Sequence, residues 1–346
     1  MILNVEENNY EINIKNNNDI ELRDYILENK NRKFAIISDE NVYFIYRNKL
    51  NNLLREVDSY IFTFPQGENS KSFKIYEEIL KFLSDNDFSR GDAIISFGGG
   101  VTGDISGYVA STYLRGIDLI SVPTTLLSMI DSSVGGKNGI NFNGLKNQIG
   151  SFYFPSYVHI DYDFLKTLDK RNINNGLAEI FKYSVLEDKN LYLYLKENKE
   201  LDYEQIIKKS LEIKLKYVRG DEKDKGKRQY LNLGHTIAHG IEGLSNYSIN
   251  HGEAVGIGTI YMARASYKMG LAKEPFYLDL IDSYKKYNLP ISYEFCTKDI
   301  LEIIKHDKKI KDNKINIILP TEIGSCTNKL VSFEELEKII NLGKEI

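Results

Sequence analysis

Cysteine is scarce: Cys296 and Cys326 are the only two in 346 residues, far apart and outside any CxxC spacing. A disulfide-stapled scaffold is thereby excluded, and a reducing cytoplasm is the expected compartment. Long apolar runs are missing as well. None approaches the roughly 20 residues that a membrane-spanning helix needs. The amino-terminal stretch MILNVEENNYEINIKNNN is polar and carries no signal-peptide pattern. Cationic excess is also absent. Lys plus Arg number 45 against 49 Asp plus Glu, giving a net charge of −4 and a pI of about 5.9. Neither nucleic acid nor a membrane is therefore an expected partner. No internal repeat and no low-complexity linker interrupts the chain.

What is present is an ordinary globular composition, 42% hydrophobic and 27% charged, in a length that suits about two domains. The first half alternates β-rich runs with helical patterns. KFAIIS at 33–38, YIFTF at 60–64, DAIISF at 92–97 and IDLISVP at 117–123 read as strands. SKSFKIYEEILKFLSD at 70–85 reads as a helix with Ser70 as its N-cap. From about residue 170 the pattern is mainly helical, with one late strand, INIILP at 315–320. The last helix opens on Ser332 with Glu335 three residues on, a capping box. The expected fold is an α/β amino-terminal domain with a Rossmann-like parallel sheet over 1–168. A mainly α-helical carboxy-terminal domain over 169–346 follows it, with the active site in the cleft between them.

Three segments carry chemistry. In LNLGHTIAHGIEGLSNYSINHGEAVGIG, His235 and His239 share one helical face, and His251 follows beside Glu253. Imidazole is the commonest zinc-type ligand, and an open catalytic site needs only three protein ligands. The bland alternative is a helix pair with scattered polar histidines. DAIISF runs into GGGVTGD, where Gly98, Gly100 and Gly103 satisfy GxGxxG between a strand and a helix. There a dinucleotide pyrophosphate can approach the backbone and the helix N-terminus. Asp39, at the end of KFAIIS, is the ribose partner this reading prefers. DSSVGGKNGINFNGLKNQIGSF at 131–152 sets Asp131, Lys137, Lys146 and Asn147 among glycines, a composition suited to anions. Glu179, Lys182, Lys214 and Arg228 lie on helical ground, where each is more often a solvated charge.

Together these segments resemble the 3-dehydroquinate synthase family of sugar-phosphate cyclases along nearly the whole chain. PQGENSKSF, FGGGVTGDISGYVASTYLRGID, VPTTLLSMIDSSVGGKNGIN, GLAEIFKYS, LNLGHTIAHGIE, HGEAVGIG and HDKK carry the resemblance. It implies metal ligands at Glu179, His235 and His251, the metal being zinc or cobalt, and so replaces the His235–His239 pairing. It implies NAD contacts at Asp39, Glu68, Lys71, Gly99, Gly100, Val101, Asp104, Thr124, Thr125 and Thr167. Catalytic positions fall on Asp131, Lys137, Lys182, Asn232 and His239. Substrate positions fall on Lys146, Asn147, Lys214, Arg228 and, in the DKK run, Lys308. Arg115 matches an arginine that completes the phosphate site of the other subunit of a homodimer. Asn138 departs from the family's usual Thr, with little effect expected.

The implied reaction converts 3-deoxy-D-arabino-heptulosonate 7-phosphate to 3-dehydroquinate and phosphate, a lyase step of aromatic amino acid biosynthesis. Transient NAD-dependent oxidation, phosphate elimination, reduction, ring opening and aldol closure make it up. The rivals are another sugar-phosphate cyclase, such as 2-deoxy-scyllo-inosose synthase, and a metal-dependent polyol dehydrogenase.

Overall fold

The structure is a computed structural model that describes residues 2–5, 10–17, 19–246, 248–305 and 314–344. The chain forms two compact units, Met1–Leu168 and Asp169–Ile346. Among the described residues no helix is long and apolar enough to cross a membrane.

Unit 1 runs β1 (Ile2–Val5), β2 (Tyr10–Lys15), α1 (Asp19–Glu28), β3 (Phe34–Asp39), α2 (Glu40–Leu53), β4 (Ser59–Phe64) and α3 (Phe73–Asp85). It continues with β5 (Ala93–Gly98), α4 (Gly100–Thr112), β6 (Asp118–Pro123), β7 (Lys137–Phe142), β8 (Leu145–Phe152) and β9 (Tyr157–Asp161). Seven strands form one sheet in the order β1-β2-β9-β6-β5-β3-β4. Only β1 is antiparallel; the other pairings are parallel. β3 and β5 are apolar without alternation and buried at nearly every position, because helices cover both faces of a parallel sheet. Ile37, Ile79, Leu83, Ile94, Ile105 and Val109 are part of the core beneath one such face.

The strand order places the chemistry. From β3 the chain moves outward to β4, then returns past β3 to β5 and β6. The order therefore reverses between β3 and β5, and a crevice opens beyond their carboxyl ends. Asp39 ends β3 and the glycine run begins at the end of β5.

Two sequence expectations change. Helix α3 starts at Phe73 and is capped by Ser72, whose Oγ accepts from Ile75 N at 3.4 Å. Ser70 is not the cap: it closes a 3₁₀ turn over Glu68–Ser70 and donates to the Pro65 carbonyl. The stretch 131–152 is not simply a loop. Its β7 and β8 pair antiparallel, with Gly139 opposite Gly150. Two facing glycines remove the side-chain alternation that marks a strand in sequence, yet they let the backbones close. The strands β2 and β9 are not among the expected strands, although YEINIK of β2 alternates apolar and polar residues.

Unit 2 contains α5 (Lys170–Glu187), α6 (Lys189–Glu197), α7 (Tyr203–Val218), α8 (His235–Leu244), α9 (His251–Lys268), α10 (Tyr277–Lys286) and α11 (Thr297–Ile304). A hairpin, β10 (Lys314–Glu322) with β11 (Ser325–Ser332), precedes α12 (Phe333–Lys344). The Ser332 capping box is formed: Ser332 N donates to Glu335 Oε2 at 2.9 Å, and Glu335 N to Ser332 Oγ at 3.2 Å. Helix α9 is buried without a break from Gly252 to Ser266. Its small residues let neighbouring helices approach closely, which makes it the axis of the unit.

Candidate active site and metal centre

In unit 1 the crevice residues form one connected network. Lys71 is buried and donates from Nζ to Asp104 Oδ2 and to Asn147 Oδ1, each at 2.5 Å. Glu68 Oε1 lies 3.7 Å from the same ammonium. Burial opposes the Lys71 charge, but the carboxylates of Asp104 and Glu68 outweigh it and raise the pKa, so the ammonium stays charged. Asn141, which no sequence motif singles out, ties this network together. Its Nδ2 donates to Glu68 Oε1 at 2.8 Å, its Oδ1 accepts from Asn147 N at 3.0 Å, and its own N–H donates to the Lys71 carbonyl at 2.8 Å. No spacing signal marks it, because its partners lie on separate turns and on the facing strand.

The glycine run has the form a dinucleotide requires. Gly99 is the N-cap of α4 without a side-chain cap, so the first N–H groups of that helix have no capping side chain. A Cβ on Gly98 would stand 2.4 Å from Thr102 Oγ1, so only glycine lets β5 pass this close to α4. Gly98 accepts from Thr124 N at 2.9 Å, which brings the end of β6 beside the run. The buried Thr124 Oγ1 has no hydrogen-bond partner among the described residues. Thr125 Oγ1 lies 2.8 Å from Ser128 Oγ. Val101 is half-buried in the first turn of α4. Asp39 caps α2 by accepting from Val42 N at 3.0 Å, and burial raises its pKa against these backbone bonds. Thr167 contacts the Tyr46 hydroxyl of α2. Gly100, Asp104, Thr124 and Asp39 thus line the ends of adjacent strands, a cradle that fits a dinucleotide.

Of the anion-binding candidates in unit 1, Asp131 lies in the short π-turn Ser128–Ser132. Lys137 opens β7, exposed, while Lys146 and Asn147 lie on β8. Asn138 pins the turn that carries Lys137, its Nδ2 donating to the carbonyls of Gly136 and Tyr153 at 2.9 and 2.8 Å. Arg115 is exposed beside Leu114, and both have left-handed backbones, φ 68° and 50°. Two adjacent non-glycine residues in that region cost about 1–2 kcal/mol each. Arg90 Nε holds the turn by donating to the Leu114 carbonyl at 2.8 Å.

In unit 2, Glu179, His235 and His251 converge, their ligand atoms all within 4.8 Å of one another. Glu179 is fully buried in mid-α5. Its Oε1 lies 3.6 Å from His235 Nε2 and 3.4 Å from His251 Nε2. Ligands about 2.1 Å from a tetrahedral ion stand about 3.4 Å apart, so the donor set fits a zinc-type metal. His235 Nδ1 is 3.1 Å from the Leu233 carbonyl and His251 Nδ1 is 3.2 Å from Glu242 Oε2. Those contacts orient each ring with Nδ1 toward its acceptor and Nε2 toward Glu179, the disposition that a pair of metal ligands needs.

The backbone holds this arrangement. Gly234 starts α8 in a left-handed conformation, φ 78°, and a Cβ there would meet Val255 O of α9 at 2.7 Å. The close approach of α8 to α9 sets His235 beside His251. At the start of α9, Gly252 N donates to Asn175 Oδ1 of α5 at 2.6 Å. Arg171 of α5 grips Glu253 with two bonds of 2.7 Å. Glu253 also accepts from Asn250 N, closing a capping box, so this acid serves as cap and strut and not as a ligand.

One cation, Lys182, lies against the cluster. Lys182 is buried, 2.6 Å from Glu179 Oε2 and 3.1 Å from the Leu231 carbonyl. His239 sits one turn after His235, their rings 5.8 Å apart. Lys214 and Arg228 are both buried. Arg228 is held by a loop wrapped around Asp221, whose carboxylate accepts from the backbone of Lys225, Gly226 and Arg228 at 2.7–2.8 Å. Asn232 ends the 3₁₀ turn that enters α8. Lys308 lies outside the described residues.

Comparison with known proteins accounts for both units. Residues 61–175 match the model of the 3-dehydroquinate synthase N-terminal domain, and residues 176–310 that of its C-terminal domain. The 3-dehydroquinate synthase of Caldanaerobacter subterraneus subsp. tengcongensis is 42% identical over 322 residues, 90% of each chain. In fold, the chain resembles 2-epi-5-epi-valiolone synthase from Streptomyces hygroscopicus, solved with NAD⁺ and Zn²⁺ (TM-score 0.89, 24% identity, 99% of each chain). It also resembles 2-deoxy-scyllo-inosose synthase, solved with carbaglucose-6-phosphate, NAD⁺ and Co²⁺ (TM-score 0.86, 23% identity, 98% of each chain). These solved structures show the fold, and the two family models and the curated relative show the sequence family through both units. The chain belongs to the 3-dehydroquinate synthase family.

Proposed function

We propose that this protein is a 3-dehydroquinate synthase, a carbon–oxygen lyase that converts 3-deoxy-D-arabino-heptulosonate 7-phosphate to 3-dehydroquinate and phosphate. The observation that carries the reading is the convergence of His235 and His251 on the buried Glu179 carboxylate, in a chain 42% identical to a named 3-dehydroquinate synthase. In this reading Asp39, Glu68, Lys71, Thr167 and the Gly99–Asp104 run hold NAD. Glu179, His235 and His251 hold a divalent metal. Held there, the metal would supply Lewis acidity toward a substrate hydroxyl and NAD would supply a reversible hydride acceptor.

The protein's own residues bind, orient and hold protons. Lys182 and Asn232 flank the metal cluster and orient the sugar hydroxyls. His239, one turn from a ligand, is placed to hold or pass a proton at its imidazole. Asp131, Lys137, Lys146 and Asn147 supply charge and hydrogen bonds to the anionic substrate, and Lys308 is assigned the same role. Much of the rate enhancement then comes from positioning successive steps on one captured molecule. The two free cysteines support a cytoplasmic location.

A phosphate-release assay with the heptulosonate phosphate tests the reading. With catalytic NAD⁺, many phosphates should be released per cofactor and no lasting NADH absorbance should develop. Stoichiometric accumulation of NADH would favour the polyol dehydrogenase instead.

Lys214 and Arg228 separate dehydroquinate synthesis from the inosose-type rival. Both are buried cations, and a planar guanidinium pairs with a carboxylate through two parallel bonds. A charge-assisted bond contributes roughly 1.5–3 kcal/mol. Arg228→Ala is therefore expected to lower kcat/KM by about 10- to 100-fold and to narrow discrimination against sugar phosphates lacking the carboxylate. Unchanged kinetics and selectivity would reject the assignment.

We also propose a homodimer in which Arg115 completes the partner's phosphate site. The strained Leu114–Arg115 turn supports this, since backbone strain collects at functional positions. Mixing Arg115→Ala with His251→Ala under subunit exchange should restore part of the activity. Proven exchange without recovery would remove Arg115 from the partner's site.

A further inference from the structure

We infer that Glu242 is a positioning residue for the metal centre: it fixes His251 as a ligand by accepting its Nδ1 proton. The inference rests on the metal reading above. Glu242 and His251 stand on different helices, α8 and α9, so their contact is made by tertiary packing and not by helical spacing. Glu242 is buried, and its Oε2 lies 3.2 Å from His251 Nδ1. Nε2 of the same ring lies on the other side, 3.4 Å from Glu179 Oε1. The carboxylate therefore sets the ring's tautomer, its rotation and its basicity together.

The two histidines are supported unequally. His235 gives its Nδ1 proton to a neutral carbonyl, that of Leu233, two residues before it. His251 gives its proton to a carboxylate. Helix α8 thus carries one ligand, His235, near its start and the orienter of the other, Glu242, near its end. A shift of α8 against α9 would disturb both histidines at once. A buried carboxylate is costly unless its hydrogen bonds are made, so the position is a demanding one to fill without a use.

The test strips the purified protein of metal and titrates it with Co²⁺ alone, following the visible ligand-field bands and the dissociation constant. Glu242→Gln keeps the size and the acceptor oxygen but removes the charge. Glu242→Ala removes both. Affinity for Co²⁺ is expected to fall by about 10- to 100-fold in the Ala variant, with a smaller fall and a shifted spectrum in the Gln variant. NAD⁺ affinity, a property assigned to unit 1, should be unchanged in both, which controls for folding. If Glu242→Gln binds Co²⁺ with wild-type affinity and spectrum, the inference is overturned. The metal reading fails separately, if His251→Ala also retains wild-type Co²⁺ affinity.

Discussion

Glu179→Gln is expected to lose tight metal binding and to lower phosphate release by about a thousandfold or more, with the fold retained. The reasoning begins from burial. Glu179 is fully buried in mid-α5, and its nearest polar neighbours are the two imidazoles and the Lys182 ammonium. A carboxylate taken out of water is tolerated only where positive charge compensates it. Lys182 supplies part of that compensation, and a bound dication would supply the rest. Glutamine has the same shape, so packing is kept, but the anionic ligand is gone. Metal assistance contributes several kilocalories per mole to transition-state stabilisation. About 4 kcal/mol corresponds to about a thousandfold in rate. Metal content, melting temperature and phosphate release should be measured on one preparation. A metal-free Glu179→Gln protein with full activity would sink the assignment.

Lys71→Met is expected to be the most damaging single change in unit 1. It removes a cation that Asp104, Glu68 and Asn147 all face. Taking one partner from a buried ion pair costs about 3–5 kcal/mol, because the remaining charge is left buried. At roughly 2–4 °C per kcal/mol for a unit of this size, melting should fall by about 6–20 °C. NAD⁺ affinity should fall with it. A second substitution distinguishes charge burial from lost packing. Adding Asp104→Asn should recover part of the stability of Lys71→Met, since the nearer of the two facing carboxylates is then neutral and only Glu68 stays uncompensated, but not the NAD⁺ affinity. Equal melting of wild type and Lys71→Met would show that Lys71 is not the electrostatic anchor of the network.

Much of this molecule is legible from its residues alone. The strands around KFAIIS and DAIISF are readable because a parallel sheet buried on both faces demands unbroken apolar runs. The glycine run is readable because its spacing falls directly between an apolar strand and a helical segment, although glycine turns in that position are common. The Ser332 cap is readable because its partner is three residues away. The cap of α3 is easily misplaced for a related reason. Ser70 and Ser72 are equally good by composition, and only the 3₁₀ turn at Glu68–Ser70 decides between them. The β7–β8 hairpin escapes a sequence reading because its glycines, needed for close pairing, look like loop residues.

The sequence by itself determined what is local: the apolar runs, the caps, the glycine turns and the pairing of His235 with His239 on one helical face. Tertiary structure decided which of those groups meet. Glu179 lies far upstream on α5, and it reaches His235 and His251 because α8 and α9 pack closely at Gly234 and Arg171 ties α5 to the start of α9. Glu242 meets His251, and Asn141 meets Glu68, across separate elements for the same reason. Spacing along a chain reports only neighbours within a turn or a strand, whereas a metal site or an ion network is set by distances of a few ångströms between segments that only the packed core brings together.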